Sequence, residues 1–590
     1  MSTKFLFQSR EYTAEIQDTG EKNRRVKKKK RIVFFARLFT FLAGVAVFYF
    51  FGFQTLSFSA ALLLLITFLR LVAIDAHLKA ELMYLQNKMH FFELQTADVE
   101  TVIRDGNTDQ EKPLNSDHHF SADLGITGNN SIYNFLNRCG LETGQKTLIR
   151  LLTSLETQPE KIRERQVQVD FLRDRAAFQA HYYALAKQVN LTQEGEKKFT
   201  KFAQSDFRVP GYFLPVFMLF SLLSLSVIVL VAFDMISVQF VIYQFIAGWL
   251  IAAVLKRKTS PVLDDVEAFA DSLSPLQKLF GAAAELKLPA GFANAEALTN
   301  TNAFKSFLSL GAMVAQRANL FVNAVLTGFF IWDLYLAHKA SIAGKNNAAL
   351  LAQQLKALAK LDALNSLSAF AGRYSQLPFP QFTNHDFEIE NMIHPFILDE
   401  NPVANSFSIK GKEQISIITG ANMAGKSTFL RAVGVNIILA SAGAPVLAAK
   451  MHYKPRLLFT SMRSGDDLFS GKSLFFAELK RLQTLMQQAE QGDEYFILLD
   501  EILKGTNSVD KARGSKAFIQ KLLKFKVYGI IATHDLSLCK LQEEFPQQVK
   551  NNSFEVEIND TDLNFDYRLK QGICQNMNAS VLLKRMGLTD

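Results

Sequence analysis

Two kinds of hydrophobic pattern divide this chain. The first half carries apolar runs too long for the core of a small domain. Residues 38–53 and 56–74 are broken only near Gln54, with Arg70 close to one end. Residues 211–233 contain no charge, and after Asp234 residues 235–254 contain none again. About 20 apolar residues in a helix match the hydrocarbon thickness of a bilayer, so the four runs predict two transmembrane hairpins. Residues 320–336 are also apolar, but Asn323 and Asp333 fall within them. That stretch predicts a buried helix of a soluble core.

The second half reads differently. Its apolar runs are strand-length and end in chemistry: residues 415–418 lead to Gly420, residues 495–499 to Asp500-Glu501, and residues 527–532 to Thr533-His534. A helical pattern covers residues 427–439. Between the first strand and that helix lies Gly420-Ala421-Asn422-Met423-Ala424-Gly425-Lys426-Ser427, the G-x-x-x-x-G-K-S spacing of a phosphate-binding P-loop, with Thr428 following. Glycines there let backbone N–H groups wrap phosphates, and the helix N-terminus adds positive dipole. Lys426 is placed to reach the β- and γ-phosphates of ATP, and Ser427 to ligate Mg²⁺. Asp500, at a strand end, is placed to hold Mg²⁺ through water, Glu501 to polarise the attacking water, and His534 to contact the γ-phosphate.

Charge sets an orientation. Eight of the ten residues 22–31 are basic, directly before the first apolar run, and Lys256-Arg257-Lys258 follows the fourth. The turns near Gln54 and Asp234 carry no lysine or arginine. By the positive-inside rule the N-terminus, residues 75–205 and everything after 258 face the cytoplasm, where ATP is. A fifth span at 320–336 would put the P-loop on the wrong side. The expected location is the cytoplasmic (inner) membrane, multi-pass, and the opening stretch is not a cleavable signal.

Composition adds little. The 590 residues are 49% hydrophobic with 52 phenylalanines, and the formal charge is +9. The juxtamembrane basic run accounts for most of that charge, so no basic stripe for nucleic acid is left. Cys139, Cys539 and Cys574 have no metal-ligand spacing and are odd in number, which predicts a reducing compartment.

The motifs resemble those of MutS-type DNA mismatch-repair ATPases. Gly420 to Thr428, with Phe429-Leu430-Arg431, is similar to that family's P-loop, including Asn422-Met423. Asp466-Asp467-Leu468-Phe469-Ser470-Gly471-Lys472-Ser473-Leu474-Phe475, with Glu478, resembles its signature segment. Asp500 to Thr506, running on to Asn507-Ser508 and Asp510, resembles its Walker B and D-loop, and Ala532-Thr533-His534 its switch histidine. These matches cover about 385–590. More weakly, residues 130–137, Gly144, Leu148, Leu151, residues 162–166 and Val169 resemble the start of its helical core domain, residues 362–367 the end, and Ile393-His394-Pro395 the opening of the ATPase domain.

The resemblance implies ATP and Mg²⁺ as cofactors, a homodimer in which Ser473 approaches the partner's γ-phosphate, and DNA as a further partner. Departures are equally plain. Residues 1 to about 120 replace the recognition and connector domains. Phe91-Phe92-Glu93 matches the family's Phe-x-Glu wedge only by coincidence, since no room precedes it for that domain. Pro402 stands where an adenine-stacking aromatic is usual, and Ala424 where a glycine is usual. Residues 572–588 resemble the end of the ATPase domain, and no C-terminal dimerisation helices are expected.

The predicted fold is therefore an α/β P-loop NTPase (ABC/MutS-like) C-terminal domain preceded by an all-α core with two transmembrane helical hairpins. Its order is a basic segment (1–32), hairpin one (33–75), helical core (76–205, family-like from about 124), hairpin two (206–256), helical core continued (257–384) and the ATPase domain (385–590). The expected function is a membrane-anchored MutS-like ATPase coupled to mismatched or structured DNA. A regulatory or remodelling ATPase without DNA is the alternative. An ABC-type transporter fits worse, because no L-S-G-G-Q segment is present and four spans leave little translocation path.

Overall fold

The computed structural model describes residues 9–52, 55–105, 120–191, 193–204, 209–289, 292, 295–299, 302–384, 386–397, 402–421, 424–462, 474–503, 507–558 and 563–574. Two antiparallel helices open it, α1 (Ser9–Phe51) and α2 (Thr55–Thr96). At 43 and 42 residues each is about 65 Å long. Toward the base, Val26 packs on Leu78 and Leu85. Above the ion pair Arg37–Asp75 (2.9 Å) the surface changes character. Phe39, Leu42, Tyr49, Leu62, Leu63 and Leu69 stand exposed along both helices.

The other end of α2 enters the protein. Phe91 and Phe92 are fully buried against Tyr12, Ala180, Tyr183 and Ala369, so the pair is core. The last carbonyls of a helix lack intrahelical donors. Here two buried arginines supply them: Arg138 and Arg373 both donate to Leu94 O (3.2 and 2.9 Å), and Arg373 also to Ala97 O. Positive charge at a helix C-terminus also opposes its dipole.

The helical core follows with α3 (Glu142–Thr153), α4 (Pro159–Arg173), α5 (Ala176–Ala186) and α6 (Gln193–Gln204). Then α7 (Phe213–Ala232) and α8 (Gln239–Glu285) form a second hairpin. It exposes Leu219, Leu222, Leu223, Tyr243 and Leu250, while Gln244 Nε2 donates to Ser224 Oγ between the helices (2.8 Å). Helix α8 continues past the basic triplet, and Leu263, Val266, Phe269, Leu273 and Leu276 bury into the core. Among the described residues, α1, α2, α7 and α8 are the four single helices long and apolar enough to cross a membrane.

After α9 (Asn302–Ala315) the structure departs from the expected single buried helix over 320–336. The stretch is two helices, α10 (Leu320–Phe330) and α11 (Trp332–Arg373), bent by 92° at Ile331. Leu320 and Phe321 are exposed rather than buried. The break lies in the backbone: Ile331 is left-handed (φ 49°), and its N–H closes α10 on Thr327 O. A β-branched residue disfavours that conformation by roughly 1–2 kcal/mol. Complete burial of the Ile331 side chain, worth about 1.5–3 kcal/mol, offsets it.

Helix α11 gathers the core. Asp362 accepts from Gly140 N (3.2 Å) and Leu141 N (2.8 Å), and Ser366 Oγ accepts from Arg138 N while donating to Leu136 O. A Cβ on Gly144 would lie 2.1 Å from Asp362 Oδ2, so only glycine fits there. Segments 222 residues apart are thereby joined.

The C-terminal domain holds two sheets. β1 (Gln381–Phe382), β2 (Phe387–Met392), β3 (Asn405–Ile409) and a later strand make the smaller. The larger starts at β4 (Ile415–Gly420), followed by α12 (Lys426–Ala442). The later strand is β5 (Lys450–Tyr453), giving the order β1-β5-β2-β3. Then come β6 (Leu457–Ser461), α13 (Leu474–Glu490), β7 (Tyr495–Asp500), α14 (Ser508–Leu522), β8 (Val527–Ala532), β9 (Val549–Ile558) and β10 (Leu563–Gln571). The larger sheet runs β10-β9-β4-β8-β7-β6, parallel except for β10. Its central strands are buried at nearly every position because helices cover both faces.

Candidate nucleotide-binding site

The parallel register brings three strand ends together. Residue Ile418 pairs with Ala532, and Asp500 with Ala532 on the other side. The ends of β4, β7 and β8 therefore deliver Gly420, Asp500 and the residues after Ala532 to one edge, where an open parallel sheet binds ligands. Gly420 (φ 151°) and Gly425 (φ 100°) turn the chain from β4 into α12. A Cβ on Gly420 would meet Phe554 O at 2.5 Å.

The polar groups at this edge satisfy one another. Lys426 Nζ donates to the carbonyls of Gly420 and Ala421 (2.7 Å each) and lies 3.5 Å from His534 Nε2. Ser427 Oγ donates to Asp500 Oδ2 (2.6 Å). His534 Nε2 is 2.8 Å from Glu501 Oε1. Burial, and then the Lys426 charge, hold the His534 imidazole below its usual pKa, and burial lowers that of Lys426. A neutral His534 protonated at Nε2 donates to Glu501.

The acidic turn is strained where it matters. Glu501 (φ 51°) and Leu503 (φ 61°) are both left-handed. Glu501 N is held by Ala532 O (2.9 Å), and Leu503 N by Glu478 Oε1 (2.8 Å) from α13. Glu478 was legible as a motif position; its part in fixing this turn was not. Asn507 caps α14 through Asp510 N (2.8 Å).

A cavity of about 690 Å³ runs along this edge, lined by Lys426, Ser427, Asp500, Glu501 and His534 at one side. Ile397, Pro402, Val403 and Tyr567 line it too, and sequence reasoning singled out only Pro402 of these. Tyr567 comes from a bulge in β10 with φ 52°, and Asn405 pins it by donating to Tyr567 O (2.9 Å) and accepting from Leu569 N (2.8 Å). His394 also lines the cavity, its pKa pushed down to about 4 by burial and then by Arg431. Asn422, Met423 and Ser473, with most of the signature segment and residues 504–506, lie outside the described residues.

The far end of α12 is anchored as firmly as the near end. Ser441 Oγ accepts from Glu156 N (2.7 Å) and Arg165 Nη1 donates to Ser441 O (3.0 Å), tying it to the helical core. Asp123 accepts from Thr460 Oγ1 (2.6 Å) and Met462 N (3.2 Å), the end of β6.

A mixed parallel sheet with this strand–loop–helix junction and acidic strand end defines an ATPase-type α/β domain. The family model of MutS domain V matches residues 416–583, which assigns this domain to the MutS family. The DNA mismatch repair protein MutS of Thermotoga maritima is 30% identical over 249 residues, which are 42% of this chain and 31% of that protein. MutS of Aquifex pyrophilus is 32% identical over 250 residues, 42% and 28% of the two chains. Human MutS protein homolog 4 is 32% identical over 228 residues, 37% and 24%. The chain thus spans about a third or less of the length of these relatives.

Proposed function

We propose that this chain binds and hydrolyses ATP with Mg²⁺, that two copies complete each other's sites, and that four apolar helices hold it in the cytoplasmic membrane with the ATPase domain in the cytoplasm. The observation that carries the reading is the convergence of Lys426, Ser427, Asp500, Glu501 and His534 on one wall of one cavity. The donor set fits the nucleotide: a lysine on a helix N-terminus, and a hydroxyl and a carboxylate oxygen 2.6 Å apart.

Mg²⁺·ATP supplies the phosphoryl group and the cation that draws charge from it. Lys426 exchanges the carbonyls of Gly420 and Ala421 for phosphate oxygens. Ser427 and Asp500 would hold the Mg²⁺. Glu501, released by His534, orients a water and takes its proton, and His534 is then free to sense the γ-phosphate. Pro402, Val403, Ile397 and Tyr567 cover the base.

For what hydrolysis drives, the relatives' names favour mismatched or structured DNA. A regulatory or remodelling role without DNA is favoured by the exposed apolar helices, which the matched domain does not include. The test is Mg²⁺-dependent ATPase activity of the purified protein, with gel shifts on homoduplex, mismatched and branched DNA at stated salt. No hydrolysis overturns the first reading. Hydrolysis without any shift selects the second.

A further inference from the structure

We propose that α10 lies within the cytoplasmic leaflet as a third membrane element that does not cross. This rests on the membrane reading of α7 and α8. Helix α10 is complete in itself: Asn319 Oδ1 accepts from Val322 N (3.2 Å) at its start, and Ile331 closes its end. No charged residue falls within its 11 residues.

Its position follows from its contacts. A Cβ on Gly248 would lie 2.0 Å from Gly328 O, so the two backbones touch, and Phe245 packs on Phe329 with ring centroids 5.3 Å apart. Residues 245 and 248 lie inside the charge-free run of α8. Wherever that run is embedded, the end of α10 is embedded with it. The helix is bent 92° from α11, and at about 16 Å it is too short to cross. At its outer end Leu320 and Phe321 are 85% and 78% exposed. Just before it, Arg317 pairs with Glu267 (2.8 Å) and Asp333 (3.2 Å), where polar headgroups meet water. Two large apolar side chains at such a helix start suit acyl chains, as in helices lying in a membrane interface.

The experiment uses the full chain in phosphatidylcholine/phosphatidylglycerol vesicles, with a fluorophore on Phe321→Cys, and on Leu320→Cys as a second site. The three native cysteines are buried. Leu222→Cys on α7 and Asp170→Cys on α4 are the comparators, and retained ATPase activity certifies folding of each. At 320 and 321, nitroxide at acyl carbon 5 is expected to remove at least half of the fluorescence and nitroxide at carbon 12 less, with little loss to aqueous iodide. Leu222 is expected to show the opposite depth order, and Asp170 to respond to iodide alone. Iodide quenching at both α10 sites with lipid quenching at Leu222 overturns the proposal and leaves the hairpins standing. Iodide quenching at Leu222 as well overturns the membrane reading beneath it. Protection of the α10 sites from both quenchers means that protein, such as a second copy, covers the helix, which also overturns it.

Discussion

At Glu501 a left-handed backbone holds a carboxylate 2.8 Å from His534, while Asp500 beside it already engages Ser427. Only one of the two acids is thus tied to Ser427. Glu501→Gln keeps the shape and hydrogen bonding but cannot take a proton. ATP binding is expected to survive and turnover to fall about 100-fold or more; parent-like turnover would mean that another group is the base. Away from the site, burial pushes the Asp362 carboxyl up to about 7 against its two N–H donors. Its unfolded value is near 3.8, so the native state holds more protons across that window. Stability from this group is full below about 4 and lost as pH rises through about 7. Asp362→Asn is expected to melt lower overall, since its NH₂ faces a donor, yet to lose less Tm between pH 5 and 8 than the parent. An unchanged slope would assign that pH dependence elsewhere.

Among the elements, the legible ones were those whose pattern reports local burial. Strands β4, β7 and β8 are buried on both faces, so their continuous apolar runs marked them and the acidic and histidine ends followed. The strand–turn–helix junction from β4 into α12 was legible because glycines at 420 and 425 mark its turns. Tyr567 was not: its approach to the cavity depends on a bulge in β10 and on Asn405, 162 residues away. The α10–α11 elbow was hidden because hydropathy sums along the chain and is blind to one left-handed residue. Orientation of the long helices is testable directly. Cysteines near Gln54 or Asp234 are expected to label from outside intact cells, and cysteines near Lys112 or Asn346 to stay unlabelled. Labelling at Asn346 would require an odd number of crossings before it.

For the whole molecule, the proposed pairing of two copies carries the sharpest test. Ser473 lies in the signature segment, and the family resemblance sends it to the partner's nucleotide. Lys426→Ala in one chain and Ser473→Ala in the other place both lesions in one composite site and leave the second intact. An equal mixture is expected to recover up to about a quarter of parent activity, because half of random twofold pairs are mixed and each has one good site. A mixture as dead as its components, with exchange verified, would count against sites shared between chains.

One helix gives this assembly a mechanical scale. Near its start, Tyr335 of α11 stacks on Phe217 of α7 at 5.0 Å; near its end, Asp362 and Arg373 hold the entrance to α3 and the end of α2. Its 42 residues make a rod of about 63 Å. Tilting such a rod by about 5° carries its far tip about 5 Å, one helical turn. Helix α3 packs against α12, so this rod joins the helix after Gly425 to the apolar end of the molecule. A displacement of α7 or α10 would therefore reach α12 through α11 and α3.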